Sequence, residues 1–496
     1  MSPVDLASPA AQVDAMKLVH PPQPVNDSVR AFLDIAGFGD AGPCLAVAAK
    51  DEMYQYALGE FHHSSPERAI QAYFRSGAAA CRILGRLLDW RFPARPAGLR
   101  VLDFASGYGR MTRFLKVARP ELKVTVCEID PDAVAFQRQW LGVEGEVSTT
   151  DPADLGVDGP WDCIFVASLF SHLPERTFEA WLEALYRRLA PGGVLIFSVH
   201  DEAVLLPGRT MPESGFYFEA MSESEFLSTE DYGSAWVREA YVRDAVARVA
   251  ASHDSEAPIV GRVPQGLWHL QDLYIAVRPG TAEVPPPDSI SPDSIPLGRG
   301  IEGHLDGFEW SSEGGLSLEG WAVDHDLKGF PEALTLQIEG IDPATARELL
   351  QPALGRPDVA SFLRDERFVT SGFRLELPQD LIVSPDLLVT LTAEGQNGQE
   401  ILFVGTLESA LQSVAREKDV VRRGILEARL ATLEQDLAAS RGRTAGLQQR
   451  LTDVQQRFED LGWQRHVLEE QIRSMEASFF WKLRNRWFAL KGAGGD

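Results

Sequence analysis

The sequence predicts an α/β chain, with a mostly parallel sheet and flanking helices behind a helical cap, then a β-rich region and one long C-terminal helix. Three observations carry this prediction. Residues 99–119 read LRVLDFASGYGRMTRFLKVAR, an aliphatic run, a glycine turn and a helical pattern. Residues 300–406 hold short alternating segments divided by glycine and proline turns, such as LSLEGWAVD, ALTLQIEG, GFRLELP and LLVTLTAEG. From Leu430 onward apolar residues recur at a spacing of three and four as far as Met475.

The first stretch organises the rest. Residues 100–104 concentrate aliphatics as a buried strand does, and Thr112, Phe114, Leu115 and Ala118 follow at helical spacing. Gly107 and Gly109 let the backbone come close to a ligand, and the amides opening the next helix favour a polar or anionic group there. Asp103, at the end of the strand, would repel a diphosphate and favour an ammonium group. A second strand, VTVCEID, ends in Glu128, about 20 residues past the glycines, where a carboxylate can accept both hydroxyls of a ribose.

With DFASGYG and VCEID together, the sequence resembles the class I, Rossmann-like S-adenosylmethionine-dependent methyltransferases. The stretch WDCIFVASLFSHLPERTFEAWLEALYRRLAPGGVLIFSVH resembles that family's fourth strand, the following helix, a Pro-Gly-Gly turn and the fifth strand. The resemblance covers roughly residues 73–278 and implies S-adenosylmethionine as cofactor. It implies cofactor contacts at Asp103, Ala105, Ser106, Gly107, Gly109, Glu128, Ile129 and Ser168. It further implies Asp154 beside the adenine, where Asp151 competes as a local turn cap, and Tyr73 near the methionine end. Tyr73 lies in AYFRSG with Arg75 and Gly77, which also reads as an ordinary packing face of a cap helix.

Composition bounds the partners. The 496-residue chain has room for about three domains, and its formal charge of −25 opposes a nucleic-acid substrate. The four cysteines, Cys44, Cys81, Cys127 and Cys163, show no metal or CxxC spacing and read as reduced thiols, with no metal site expected. The sequence shows no signal peptide pattern and no run near the ~20 apolar residues of a spanning helix, so a cytoplasmic location is expected.

In chain order, residues 1–26 read as a flexible leader. Residues 27–98 read as a helical cap, with helical patterns at 28–35, 53–58 and 66–88, closed by Pro93 and Pro96. The methyltransferase-like region spans 99–280. After its fourth strand comes a loop of Ser168, Leu169, Phe170, Ser171 and His172, at the strand end that faces the ligand crevice. His172 and, after the fifth strand, His200 are the candidate catalytic bases, since a neutral imidazole can take a proton from a hydroxyl acceptor. His172 alternatively caps the next helix or bonds the backbone, and Asp201 either orients a histidine or acts alone. Phe216, Tyr217, Tyr232 and Trp236 either line the acceptor pocket or simply pack. GLWHLQDLYIAVRP completes the sheet as its last, antiparallel pair, with His269 and Asp272 as sheet residues.

Residues 281–299 read as a proline and serine linker. The β-rich region 300–406 includes one helix-like insertion, ATARELLQPAL. Through GWAVD, GRPDVA and SGFRLELP it is similar to an accessory β-sandwich-like domain attached to bacterial glycosyltransferases and methyltransferases of surface-glycan assembly, where it would bind carbohydrate or serve as a spacer. Residues 407–477 read as a coiled coil that self-associates, with a break or hinge expected around Gly424 where the heptad phase is lost. Residues 478–496 form a tail with aromatics and Lys482, Arg484, Arg486 and Lys491, which fits an anionic membrane surface through 478–491, or a partner protein.

Together the parts resemble bacterial surface-polysaccharide methyltransferases of the O-antigen type, peripheral on the inner face of the plasma membrane. The resemblance implies O-methylation of a sugar hydroxyl, a glycan or small-molecule acceptor, a homo-oligomer and possible glycosyltransferase partners. The alternatives are methylation of a small metabolite or a protein, or a non-catalytic scaffold organising glycosyltransferases.

Overall fold

The architecture is that of a computed structural model, which describes residues 17–19, 29–34, 36–38, 42–59, 66–93, 97–206, 208–220, 227–280, 297, 300–310, 315–379, 387–396, 398–477 and 479–492. The chain divides into two compact units, Met1–Lys418 and Asp419–Asp496.

The first unit opens with a two-residue antiparallel ladder, β1 (Leu18–Val19) on β2 (Val47–Ala48). This corrects the expected leader: residues 18 and 19 are tied into the cap, and the leader's remaining residues, except Lys17, lie outside the described residues. A short helical segment at 29–34, α1 (Glu52–Leu58) and α2 (Pro66–Arg91) follow. Asp51 caps α1 by accepting from the amides of Met53 and Tyr54. The long helix α2 continues three residues past the predicted end, stopping before Pro93, and buries Ile70, Phe74, Leu84, Leu87 and Leu88 against the sheet.

The sheet is built from β3 (Arg100–Phe104), β4 (Lys123–Glu128), β5 (Glu144–Val147), β6 (Trp161–Val166) and β7 (Leu189–Asp201), with α3 (Thr112–Ala118), α4 (Pro131–Phe136) and α5 (Glu175–Tyr186) between them. It continues as β8 (Phe216–Glu219), β9 (Ser234–Val237), α6 (Glu239–Ala251), β10 (Ile259–Leu267) and β11 (Gln271–Val277). The strand order is β10-β11-β7-β6-β3-β4-β5, with β9 joined to the end of β7 and β8 to β9. Strands β3 to β7 run parallel, and β11 enters antiparallel between β7 and β10. Every residue of β11 is buried, the polar Gln271 and Asp272 included, because neighbours cover both of its faces, in place of the alternation expected from sequence. One apolar layer packs under α2 and a second under α5 and α6. Cys81, Cys127 and Cys163 are buried free thiols within these layers, and burial pushes Cys81 and Cys127 up to about 12.

The β-rich region forms two antiparallel sheets. One has the order β12 (Ile301–Trp310), β13 (Leu316–Asp324), β16 (Gly372–Leu377), β15 (Leu350–Leu354), and the other β14 (Ala333–Ile338), β17 (Leu388–Gly395), β18 (Gly398–Thr406). Leu316, Leu318 and Leu375 from the first sheet share a core with Leu336, Leu391 and Ala393 from the second. The insertion ATARELLQPAL splits: only α7 (Pro343–Glu348) is helical, capped by Asp342, while the rest pairs with β16 as the edge strand β15. A second short helix, α8 (Pro357–Leu363), follows.

This region rests on α2. Arg75 donates to the carbonyls of Ile401 and Leu402, and Arg82 meets the Glu400 carboxylate at 2.9 Å. Ile401, Val404 and Leu297 complete the apolar layer under the helix. Apart from Leu297 the predicted linker, 281–299, lies outside the described residues.

Helix α9 (Leu407–Ala477) begins inside the β core, with Leu407, Ala410 and Val414 buried there. It runs through Gly424 without interruption, so the backbone does not break there, while the division between the two units falls nearby, after Lys418. In the second unit the helix exposes Leu447, Leu451, Val454, Phe458, Leu461, Leu468, Ile472 and Met475. The tail forms a separate helix, α10 (Phe479–Gly492). No helix among the described residues is long and apolar enough to cross a membrane.

Candidate active site

The glycine turn after β3 is shaped for close packing. Gly109 has φ +72°, and a Cβ there would lie 2.4 Å from Leu141 and 2.7 Å from Gln137. Gln137 sits in a π-helical turn after α4 and donates to the Ser106 hydroxyl and the Gly107 carbonyl, holding the turn from behind. Helix α2 reaches the turn at Gly77, whose missing Cβ would fall 2.1 Å from the Arg110 carbonyl oxygen. That close approach accounts for the glycine in AYFRSG.

Glu128 ends β4 with its carboxylate almost fully buried. Its Oε2 accepts from the Gly107 amide at 2.8 Å, and Oε1 accepts from Ile129 at 2.6 Å and Asp130 at 3.2 Å. Burial lifts its pKa and the three amides pull it back. The carboxylate therefore has a fixed direction, and acceptor capacity remains on Oε2.

A cavity of about 170 Å³ opens at this carboxylate. Phe104, Ala105, Glu128, Ile129 and residues 148–150 form one side, and Leu169, Leu173, Thr177 and Trp181 the other. Its rim carries Tyr232 and the Arg176–Asp231 ion pair at 2.5 Å. An apolar slot beside a fixed carboxylate and small hydroxyl side chains suits a nucleoside: Glu128 for ribose hydroxyls, and Ile129 and Leu169 for the faces of a base.

The predicted contacts divide accordingly. Ala105, Glu128 and Ile129 line the cavity, while Ser106, Gly107 and Gly109 build the turn behind it. Asp154 does not line it; it lies exposed in a short 3-10 turn that Asp151 caps through the Ala153 amide, and Ser148, Thr149 and Thr150 take the place expected of an acid. Tyr73 is also displaced from the expected role. It is fully buried, donates to Asp51 at 2.6 Å and accepts from Arg113 at 3.2 Å. Arg113, itself 1% exposed, also donates to the carbonyls of Cys44, Ala46, Tyr108 and Gly109 and so ties cap to glycine turn. Asp103 is 4% exposed and accepts from the Thr112 hydroxyl at 2.5 Å. Burial raises it to about 7, against the Thr112 bond and Arg110 and with help from the Glu128 charge.

The two histidines meet at the ends of β6 and β7, with ring centroids 6.2 Å apart. His172 Nδ1 lies 2.7 Å from the Gly233 carbonyl oxygen, which only accepts, so Nδ1 carries the proton and Nε2 the lone pair; this tautomer is assigned from the hydrogen bond. Nε2 is 3.4 Å from the Ser168 hydroxyl. The His172 ring stacks on Tyr232 at 4.7 Å, which sets it directly behind the cavity rim. Ser168, in the left-handed region at φ 62°, receives Gln271 Nε2 on its hydroxyl and donates its amide to Ser198 Oγ. Ser198 donates to Gln271 Oε1, which orients the amide so that Nε2 also faces His200 Nε2 at 3.4 Å. Burial, then the neighbouring His172, lowers His200 to about 4, so it stays neutral at physiological pH and is the weaker base.

Asp201 is paired with Arg262, which also holds Asp272 and Glu239. Phe216 packs against Phe178 and Tyr241 in the core, and Trp236 donates to the Val204 carbonyl beside His200. Tyr217 rests against Trp236. Of the four aromatics named from sequence, Tyr232 alone lines the cavity. Sequence reasoning missed Gln271, residues 148–150 and Arg176; a glutamine opening a strand and a serine-threonine turn carry no spacing signal.

Residues 102–195 match the family model described as a methyltransferase domain. Over those residues the chain is similar to a methyltransferase domain. S-adenosylmethionine is the cofactor that goes with this likeness, and the carboxylate-lined slot fits it. The chain is 32% identical over 121 residues to the demethylmenaquinone methyltransferase of Thermus thermophilus, over 23% of this chain and 54% of that protein. The chain thus spans about half the length of this curated relative. Similar solved structures include the glycopeptide N-methyltransferase MtfA with S-adenosylhomocysteine, at TM-score 0.28 and 18% identity over 38% of this chain and 84% of that one. Another is the sugar N-methyltransferase KedS8 of a Streptoalloteichus species, at TM-score 0.31 and 15% identity over 41% of this chain and 88% of that one.

Proposed function

We propose that the chain moves a methyl group from S-adenosylmethionine to a hydroxyl of a surface glycan or its precursor, with His172 as base. The observation that carries this reading is the His172 ring, fixed through Nδ1 by the Gly233 carbonyl, with Nε2 3.4 Å from the Ser168 hydroxyl, and stacked on the cavity-lining Tyr232. The cofactor supplies a methyl carbon on a positively charged sulfur. That carbon would be the electrophile for the acceptor oxygen, with the thioether as leaving group, while His172 Nε2 would take the hydroxyl proton and the Gly233 carbonyl and Ser168 hydroxyl would steady the resulting imidazolium. Glu128 holds the ribose, and residues 148–150, Leu169 and Ile129 enclose the base. The Arg176–Asp231 pair and Tyr232 keep water from the acceptor side, and Tyr232 also offers a face on which a sugar ring can stack.

The test is transfer of labelled methyl from S-adenosylmethionine to glycan extracts by the purified full chain and by His172→Ala. Label in the glycan fraction that falls at least 100-fold in the variant supports the proposal. Label in a small metabolite or in protein instead moves the acceptor to those classes, and wild-type rates in the variant sink the base assignment.

The second unit favours an organising role alongside catalysis. The apolar stripe of α9, exposed in a single chain, fits a coiled coil with further copies of this chain. On α10 the exposed Phe480, Leu483, Trp487 and Phe488 accompany four cationic residues, a composition suited to an anionic membrane surface, where several copies would add avidity. A scaffold for glycosyltransferases would survive loss of both histidines and fail on loss of the second unit.

A further inference from the structure

We infer that His269, Glu302 and His325 form a zinc-type metal site that clasps the methyltransferase sheet to the β-rich region. The three come from separate parts of the first unit. His269 lies in the tight turn between β10 and β11, Glu302 on β12, and His325 just after β13. One donor atom from each lies within 4.8 Å of the others. His325 Nε2 is 2.9 Å from a Glu302 oxygen, and the two histidine rings are 5.5 Å apart.

The surroundings hold these donors in place. The His325 side chain is 2% exposed, its Nδ1 has no hydrogen-bond partner among the described residues, and its ring edge meets Phe368. Its backbone amide donates to Gly300, and Asp324 turns the following residues by accepting from Asp326 and Leu327. On the other side, Trp268 and His269 both adopt left-handed backbone angles, φ 54° and 58°. Trp268 is pinned by its indole bond to the Ser76 carbonyl and by the Arg110 guanidinium over its ring at 4.5 Å. The turn that carries His269 is thus anchored on α2 and on the glycine turn of the cofactor site.

The donor set is two imidazoles and a carboxylate, the combination that zinc takes with a fourth position left open. Four-coordinate binding at about 2.0–2.2 Å from each donor would bring the donors to roughly 3.3 Å of one another, a small adjustment of side chains already this close. His269 and Glu302 also face a cavity of about 560 Å³ between α2 and the β-rich region. The fourth position therefore opens to water or to a ligand oxygen in that cavity. Because the ligands come from both sides of the interface, the ion would tighten the docking of the β-rich region on the domain that binds cofactor.

The test uses the full chain, stripped with a chelator and titrated with Zn²⁺ against a chromophoric competitor, with Co²⁺ in parallel as a spectroscopic probe. The expected result is one ion per chain, the visible absorption of a four-coordinate Co²⁺ site, and a higher thermal midpoint with metal. His269→Ala and the isosteric Glu302→Gln should each weaken Zn²⁺ at least about tenfold and erase the Co²⁺ bands, with S-adenosylhomocysteine binding retained as proof of folding. No stoichiometric ion in the wild type, or equal affinity in folded variants, overturns the inference. These readouts need no methyl acceptor, so they stand apart from the enzymatic proposal.

Discussion

Replacing Asp103 by asparagine sets the fold against the function. Asp103 is buried with one hydrogen-bond donor on its carboxyl, Thr112, and burial raises it from 3.8 to about 7. The unfolded chain releases this proton near 3.8 and the folded chain holds it to about 7. Between those values the native state binds more protons, so stability falls as pH rises and levels off above 7. At 1.36 kcal/mol per unit, the ionised carboxylate costs the fold about 4 kcal/mol at pH 8, about 2 kcal/mol at pH 5, and next to nothing below 3.8. Asparagine keeps an oxygen for Thr112 and removes the charge. The Asp103→Asn chain should therefore gain several degrees in thermal midpoint at pH 8, clearly less at pH 5, when no cofactor is present. It should at the same time bind S-adenosylhomocysteine at least tenfold more weakly, if the carboxylate serves the amino group of the cofactor. Thermal scans at the two pH values and titration calorimetry read both. An equal or lower midpoint at pH 8 would refute the burial argument, and unchanged affinity would refute the ammonium contact.

Four further outcomes follow from the same geometry. Glu128→Ala removes the fixed carboxylate, with charged hydrogen bonds worth about 1.5–3 kcal/mol each, and should weaken S-adenosylhomocysteine at least tenfold in calorimetry. His172→Ala should lower kcat about 10²–10⁴-fold with that affinity intact, whereas His200→Ala, removing a base already lowered to about 4, should cost less. Arg113→Met strips a buried cation from Asp51 and Tyr73 and frees four carbonyls, and should cost about 3–5 kcal/mol in urea unfolding. Truncation after Lys418, which keeps the buried turns of α9, should leave a folded monomer by sedimentation while the full chain sediments as an oligomer.

What could be read in the sequence was local. β3 and α3 fall where the aliphatic run and the helical period put them, because Gly107 and Gly109 mark the turn between them. The position of Glu128 followed from the fixed length of a strand–helix–strand unit. What could not be read depends on partners far along the chain. His172 gains its meaning from Gly233, 61 residues later, and from Gln271, which reaches it through Ser168. Tyr73 had the right neighbourhood for a cofactor contact, but Arg113 and Asp51 claimed its hydroxyl. The LQPAL segment carries two leucines and an alanine, equally good for a helix end or an edge strand, and β16 decided the matter by offering unpaired amides. The lost heptad phase around Gly424 predicted a break or hinge in α9, yet the backbone stays helical through it, and one glycine costs a helix only about 1 kcal/mol.

Strand β11 is the last of its sheet to be made but lies inside it, between β7 and β10. A chain growing from its N-terminus can assemble β3 to β7 early, yet until residues 271–277 arrive β7 keeps an open edge and Ser198 has no Gln271 to receive its hydroxyl. The amide that orients Ser168 and faces His200 comes from that same strand. Completion of the sheet and completion of the polar cluster are thus one event in synthesis, and an unfinished chain holds a cofactor cradle without the arrangement that would use it.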